Sequence, residues 1–190
     1  VKSPRELVIS AYATVPDITR VVTPDIKRPG DSRLLFIEIA PSRTRLGGSI
    51  LAQAYGQVGK ESPDVDDPER LKSAFKAIQR LIAGDLILAG HDVSDGGLAT
   101  TLLEMAFAGN CGFDIRMDGP WRPLERLFAE ELGLVVECAA NDLPRVQEIL
   151  GSFQVASSVI GATREETRVR VTCNGQTLLD APTEVLREWW

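Results

Sequence analysis

The run Gly90-His-Asp-Val-Ser-Asp-Gly-Gly-Leu98 is the most chemically informative stretch of the chain. In extended backbone, Asp92 and Ser94 point to the same side. A carboxylate and a hydroxyl aimed together suit a hard cation and a phosphate oxygen. Gly96 and Gly97 permit close approach of a ligand to the backbone. A helix starting after them offers N–H groups and partial positive charge to an anion. The same residue types also make caps and turns, with Asp95 or Ser94 as helix cap. One carboxylate is too few for a magnesium site, so other ligands must come from elsewhere. His91 is the single histidine. It excludes any site needing two and reads as a hydrogen-bonded structural residue rather than a base.

A second candidate is the turn Ser42-Arg-Thr-Arg-Leu-Gly-Gly-Ser49. Gly47, Gly48 and Ser49 precede a helix and can form a phosphate or anion loop, with Arg43 and Arg45 beside it. The alternative is a plain helix start with solvated arginines. Asp64, Asp66 and Asp67 resemble a calcium loop only superficially, because Glu69 stands where that loop needs glycine. Asp67 reads instead as an N-cap, with Pro68 at the first helical position.

These segments need elements to hold them. Leu7–Val15 is apolar and partly β-branched and predicts a strand, ended by Pro16. Asp17 caps a short helical turn through Val22. A second strand is expected at Leu34–Ala40, then a helix from Ser49 to Val58 striped by Ile50, Ala54 and Val58. The helix after Asp67 runs to Ala83, with Leu71, Phe75, Ile78 and Ile82 as its apolar stripe. Leu86–Gly90 reads as a short strand buried on both faces. It leads into a helix from Leu98 to Ala108 that Gly109-Asn110 ends.

Further strands are expected at 112–117, 134–138, 156–161, 168–173 and 177–180, with Asn174-Gly175 as a hairpin turn. Helices fill 123–131, 143–150 and 182–190. The class is α/β or α+β: one domain, an α/β/α sandwich over a mixed sheet.

The chain has 190 residues, 44% of them hydrophobic and 25% charged, enough for a core without staples. Its net charge of −6 argues against a nucleic-acid partner, which needs a basic face. No apolar run reaches the roughly 20 residues of a bilayer span, so no membrane partner is expected. Cys111, Cys138 and Cys173 form no CxxC pair and read as reduced, buried thiols. The first residue is Val1, not Met, as expected of a piece of a longer protein.

Gly90–Leu98 also resembles the signature near the end of the synthetase part of the phosphoribosylformylglycinamidine synthase family. Leu7–Val15, Thr23-Pro-Asp25, Leu46-Gly-Gly-Ser49 and Pro63-Asp-Val-Asp-Asp-Pro68 are similar to that family in the same order. The resemblance implies the C-terminal half of the second module related to aminoimidazole ribonucleotide synthetase. The implied fold is an α/β/α sandwich with some likeness to a ferredoxin fold. The implied reaction converts formylglycinamide ribonucleotide to the amidine, with ATP activating the amide oxygen and glutamine supplying ammonia.

Implied cofactors are Mg2+ and ATP or ADP, with Asp92 resembling a magnesium ligand and Ser94 a nucleotide contact. In this second module the nucleotide is mainly structural in bacterial-type enzymes. Implied partners are the nucleotide, the ribonucleotide substrate, a preceding half-module and a following glutaminase domain. The glutaminase nucleophile lies outside this chain, so no catalytic nucleophile is assigned, and the expected location is cytoplasmic. Two other readings remain. One is a domain of another ATP-using synthetase of the superfamily, such as aminoimidazole ribonucleotide synthetase or selenophosphate synthetase. The other is a non-catalytic scaffold domain, for which Glu188-Trp-Trp190 fits a docking segment.

Overall fold

Seven strands build a single mixed sheet in the computed structural model, which describes residues 8–15, 17–120 and 122–190. The strands are β1 (Ser32–Glu38), β2 (Ala89–Asp92), β3 (Gly112–Arg116), β4 (Gly133–Ala139), β5 (Ala156–Arg164), β6 (Arg168–Cys173) and β7 (Gln176–Pro182). The helices are α1 (Ile50–Ala54), α2 (Pro68–Ala83), α3 (Gly97–Gly109), α4 (Pro123–Phe128), α5 (Leu143–Ser152) and α6 (Thr183–Trp189).

Strand order is β2-β4-β1-β5-β3-β6-β7. The β3–β6 pair is parallel and the other pairs are antiparallel. Leu34 and Phe36 send their side chains to one core with Leu98, Leu102 and Met105 of α3. Leu35 and Ile37, on alternate positions, join Ala74, Ala77 and Leu81 of α2 and Val146 and Leu150 of α5. The expected sandwich over a mixed sheet is therefore the observed fold class. Turn chemistry closes the last hairpin: Asn174 and Gly175 have φ of 48° and 79°, as a two-residue primed turn requires.

Several expectations need correction. Residues 8–15 form no strand, and Leu7 and Pro16 lie outside the described residues. Val8, Ile9 and Tyr12 are exposed. A β-prone composition makes a strand only where a ladder partner exists, and none of the seven strands pairs with this segment. The turn capped by Asp17 ends at Arg20, short of Val22.

The helix capped by Ser49 stops at Ala54, because Gly56 (φ 66°) turns the chain back and Gly48 N–H bonds to Val58 O. The intended stripe of α1 is not buried: Ile50 and Val58 are exposed. In α2, Asp67 caps Glu69 and Arg70 as expected. Its fully buried face is Ala74, Ala77 and Leu81, while Phe75 is 64% exposed. Small side chains let the helix axis come close to the sheet, and the larger residues are displaced to the flank.

The strand expected at 86–90 starts at Ala89 and carries His91 and Asp92. It is an edge strand with β4 as its partner, not an internal one. Finally, α4 ends at Phe128 and residues 129–131 run on outside the helix.

Candidate functional site

β2 pairs with β4 as far as Asp92↔Leu134, and Val93 N–H still bonds to Gly133 O at 2.9 Å. Val93 is buried and acts as an anchor, while Asp92 and Ser94 on either side of it are exposed. Both side chains are thus open to solvent beside that anchor. Gly97 N–H then bonds to Ser94 O at 3.0 Å and closes the turn into α3.

Neither Ser94 nor Asp95 caps that helix. The cap position is Gly96 at φ 80°, with no side-chain bond to the helix start. Gly96 N–H instead donates to Glu130 Oε1 at 2.8 Å. The same oxygen accepts Ile50 N–H at 2.8 Å, at the start of α1. A resident carboxylate thus complements the positive end of α3. The two glycines have a reason other than ligand approach. A Cβ on Gly96 would lie 2.1 Å from Thr100 Oγ1, and one on Gly97 2.8 Å from Leu127 O.

The backbone under Asp92 is held firmly. Thr101 Oγ1 donates to Asp92 O at 3.0 Å. His91 Nδ1 lies 2.8 Å from the same carbonyl, and its Nε2 lies 2.9 Å from Glu104 Oε2 on α3. His91 is accordingly a structural bridge between strand and helix. The Asp92 side chain is 69% exposed and has His91 Nδ1 3.3 Å from Oδ1. His91 and Asp92 are among the residues lining a groove of about 390 Å³ beside the edge strand β2. Its apolar walls are Val22, Pro24, Ile78, Ile82 and Leu134. Ser94 stands outside that lining.

The Gly47–Ser49 turn behaves differently from an anion loop. Gly47 N–H bonds to Glu61 O at 2.8 Å, Gly48 N–H to Val58 O at 2.6 Å and Ser49 N–H to Leu46 O at 3.2 Å. Ser49 Oγ accepts from Ala52 N–H and donates to Leu46 O. As folded, these donors are spent inside the chain. Arg45 is neither solvated nor turned to an anion. Its Nε and Nη2 reach Glu131 at 2.8 Å, and Nη2 also reaches Asp66 at 2.9 Å. The Glu131 carboxylate holds the Arg45 guanidinium even more firmly charged than usual. Arg43 lies 3.6 Å from Asp66.

Asp66 and Asp67 are thus occupied by pairing and capping. Among the described residues no group of three or more His, Cys, Asp or Glu is placed to hold a metal ion. Glu130 and Glu131 were not anticipated from the sequence. The one signal was two acids beside the apolar Leu132-Gly-Leu-Val-Val run, where carboxylates are buried only when paired. The three cysteines are buried, and burial pushes the thiols of Cys111 and Cys138 up to about 11.

Residues 28–174 match the family model for AIR synthase related protein, C-terminal domain. Over its whole length the chain is 48% identical to "Probable phosphoribosylformylglycinamidine synthase, chloroplastic/mitochondrial" of Arabidopsis thaliana. It is 47% identical, again over its whole length, to phosphoribosylformylglycinamidine synthase of Homo sapiens. It spans 14% and 15% of the length of those two proteins. Among solved structures, T. maritima PurL complexed with FGAR superposes with a TM-score of 0.73 at 20% identity, covering 89% of this chain and 30% of that one. T. maritima PurL complexed with ATP gives 0.69 at 21% identity, covering 89% and 27%. Among the described residues no helix is long and apolar enough to cross a membrane.

Proposed function

Because this chain belongs to the family of AIR synthase related proteins, C-terminal domain, we propose that it is the corresponding part of a phosphoribosylformylglycinamidine synthase. In that reading the intact protein uses ATP and glutamine-derived ammonia to turn formylglycinamide ribonucleotide into its amidine, and is a ligase of purine synthesis. Identity of 47–48% along the full chain to curated enzymes of that name supports it. This part works with a preceding half-module and a following glutaminase domain, and is inactive alone.

Within that reading, Asp92 and Ser94 form one wall of a magnesium–nucleotide site. The observation that carries this is that neither side chain caps α3, while Asp92 lines the sheet-edge groove. The donor set fits the metal in part. Asp92 offers one carboxylate, and the further protein ligand, the phosphates and the waters come from elsewhere. Magnesium, when bound, neutralises charge on phosphate oxygens. Asp92 fixes the position of a carboxylate oxygen, and Thr101 and His91 fix its backbone. Ser94 contributes a hydroxyl for a phosphate oxygen. Glu130, already on the α3 amide, keeps an anion from settling deeper against the helix.

The test uses the full-length protein carrying Asp92→Asn. Nucleotide retained through gel filtration in magnesium should fall tenfold or more, about 1.4 kcal/mol or more. The melting temperature without nucleotide should stay unchanged, since the side chain is largely exposed. Equal retention by both proteins removes Asp92 from the site.

A further inference from the structure

Gly96 is buried, so its N–H needs an acceptor. The acceptor nearest in sequence is Ser94. A serine hydroxyl readily takes the amide two residues further on and closes its own turn. Asp95 does not compete in that pattern, because Gly97 N–H is already on Ser94 O at 3.0 Å. Yet Gly96 N–H goes to Glu130 Oε1 at 2.8 Å, 34 positions away in the sequence. The Ser94 side chain is exposed and makes no hydrogen bond among the described residues.

Charge explains that choice. An ionised carboxylate accepts a backbone N–H more strongly than a neutral hydroxyl does. The neighbours of Glu130 also set it in place: Ala129 is buried, and Glu131 holds Arg45 through Nε and Nη2. The second bond of Glu130 Oε1, from Ile50 N–H, lies at an exposed residue, where water can take over. The Gly96 bond is part-buried, and its local substitute is the Ser94 hydroxyl.

We propose that Glu130 is a positioning residue for the nucleotide corner: by holding the Gly96 amide it keeps the Ser94 hydroxyl free for a phosphate oxygen. This rests on Asp92 and Ser94 forming the magnesium–nucleotide wall. Without Glu130 the buried amide turns to the nearest acceptor, because leaving it unbonded is costly. The Ser94 hydroxyl is then consumed by its own turn.

The test is a double-mutant cycle in the nucleotide-free full-length protein, with ADP and magnesium as the probe. Equilibrium dialysis reads ADP affinity, and hydrogen exchange reads the Gly96 amide. Ser94→Ala and Glu130→Ala should each weaken ADP binding about tenfold, and the double variant should bind no worse than Glu130→Ala. Glu130→Gln keeps an acceptor oxygen and should bind close to wild type. Ser94→Ala should leave Gly96 exchange unchanged when Glu130 is present and accelerate it in Glu130→Ala. A merely structural glutamate would not make Gly96 exchange depend on Ser94 in this way. Wild-type affinity in Glu130→Ala, losses that multiply in the double variant, or Gly96 exchange indifferent to Ser94 in both backgrounds each overturns the proposal. Asp92→Asn, measured alongside, separates the two readings. If it weakens binding and Ser94→Ala does not, the metal wall stands and the role of Glu130 falls. If neither weakens binding, both fall.

Discussion

Glu130 Oε1 receives the amide of Gly96 at 2.8 Å, and by doing so ties the start of α3 to the loop that carries α1. The second amide on that oxygen, from Ile50, makes the carboxylate a clamp between two otherwise unconnected chain reversals. Glu130→Ala should cost about 1–2 kcal/mol, since two backbone donors lose a charged acceptor. Glu130→Gln keeps an acceptor oxygen and should cost less. Hydrogen exchange at the Gly96 and Ile50 amides should accelerate together in the alanine variant. Acceleration at one amide alone would contradict a shared clamp.

The Arg45–Glu131 pair carries a larger penalty. Side-chain exposures are 13% and 8%, so removing the arginine leaves a carboxylate with little water around it. Arg45→Met should lower stability by about 3 kcal/mol. Replacing Glu131 by Leu in the same protein should restore much of that loss, measured by denaturant melts of the four proteins in the cycle.

Gly97 has φ of 68°, and an added Cβ would meet the Phe128 backbone at 2.8 Å. Gly97→Ala should therefore destabilise by about 2 kcal/mol or more, through both strain and displacement of α4. Gly48 has φ of 77° with nothing within 4 Å of its added Cβ. Its alanine variant isolates the backbone cost, about 1 kcal/mol. Equal losses at the two positions would show that α4 is not pressed against the α3 start.

Cys111 and Cys138 carry thiols raised from 9.0 to about 11 by burial. Because the folded values lie above the unfolded ones, the unfolded chain releases these protons first. Stability contributed by the buried thiols is complete below pH 9, and it falls as the pH rises from about 9 through about 11. Iodoacetamide should label both residues slowly at pH 8 and rapidly in denaturant. Fast labelling of the native protein would contradict their burial.

Local chemistry written into adjacent residues was readable in advance. The Asp67-Pro68 helix start and the Asn174-Gly175 hairpin each depend on side chains or dihedrals within a few positions. What escaped depends on partners far along the chain. Residues 8–15 have the composition of a strand, yet no ladder partner among the described strands. Phe75 sits on a regular helical stripe, yet the sheet accepts only the alanine face of α2. Glu130 and Glu131 act on residues more than thirty positions away, and nothing in their neighbours names those targets.

The placement of β1 between β4 and β5 governs how the protein is made. Glu38 must wait for Gly133, and Ser32 for Ala139, before the first flank is closed. At roughly 5–20 residues per second, ribosomal synthesis leaves Leu34-Leu35-Phe36-Ile37 without either neighbour for several seconds. During that interval the segment is a ready template for foreign strands. Expression yield should hence depend on chaperone supply during translation more than on the stability of the finished fold.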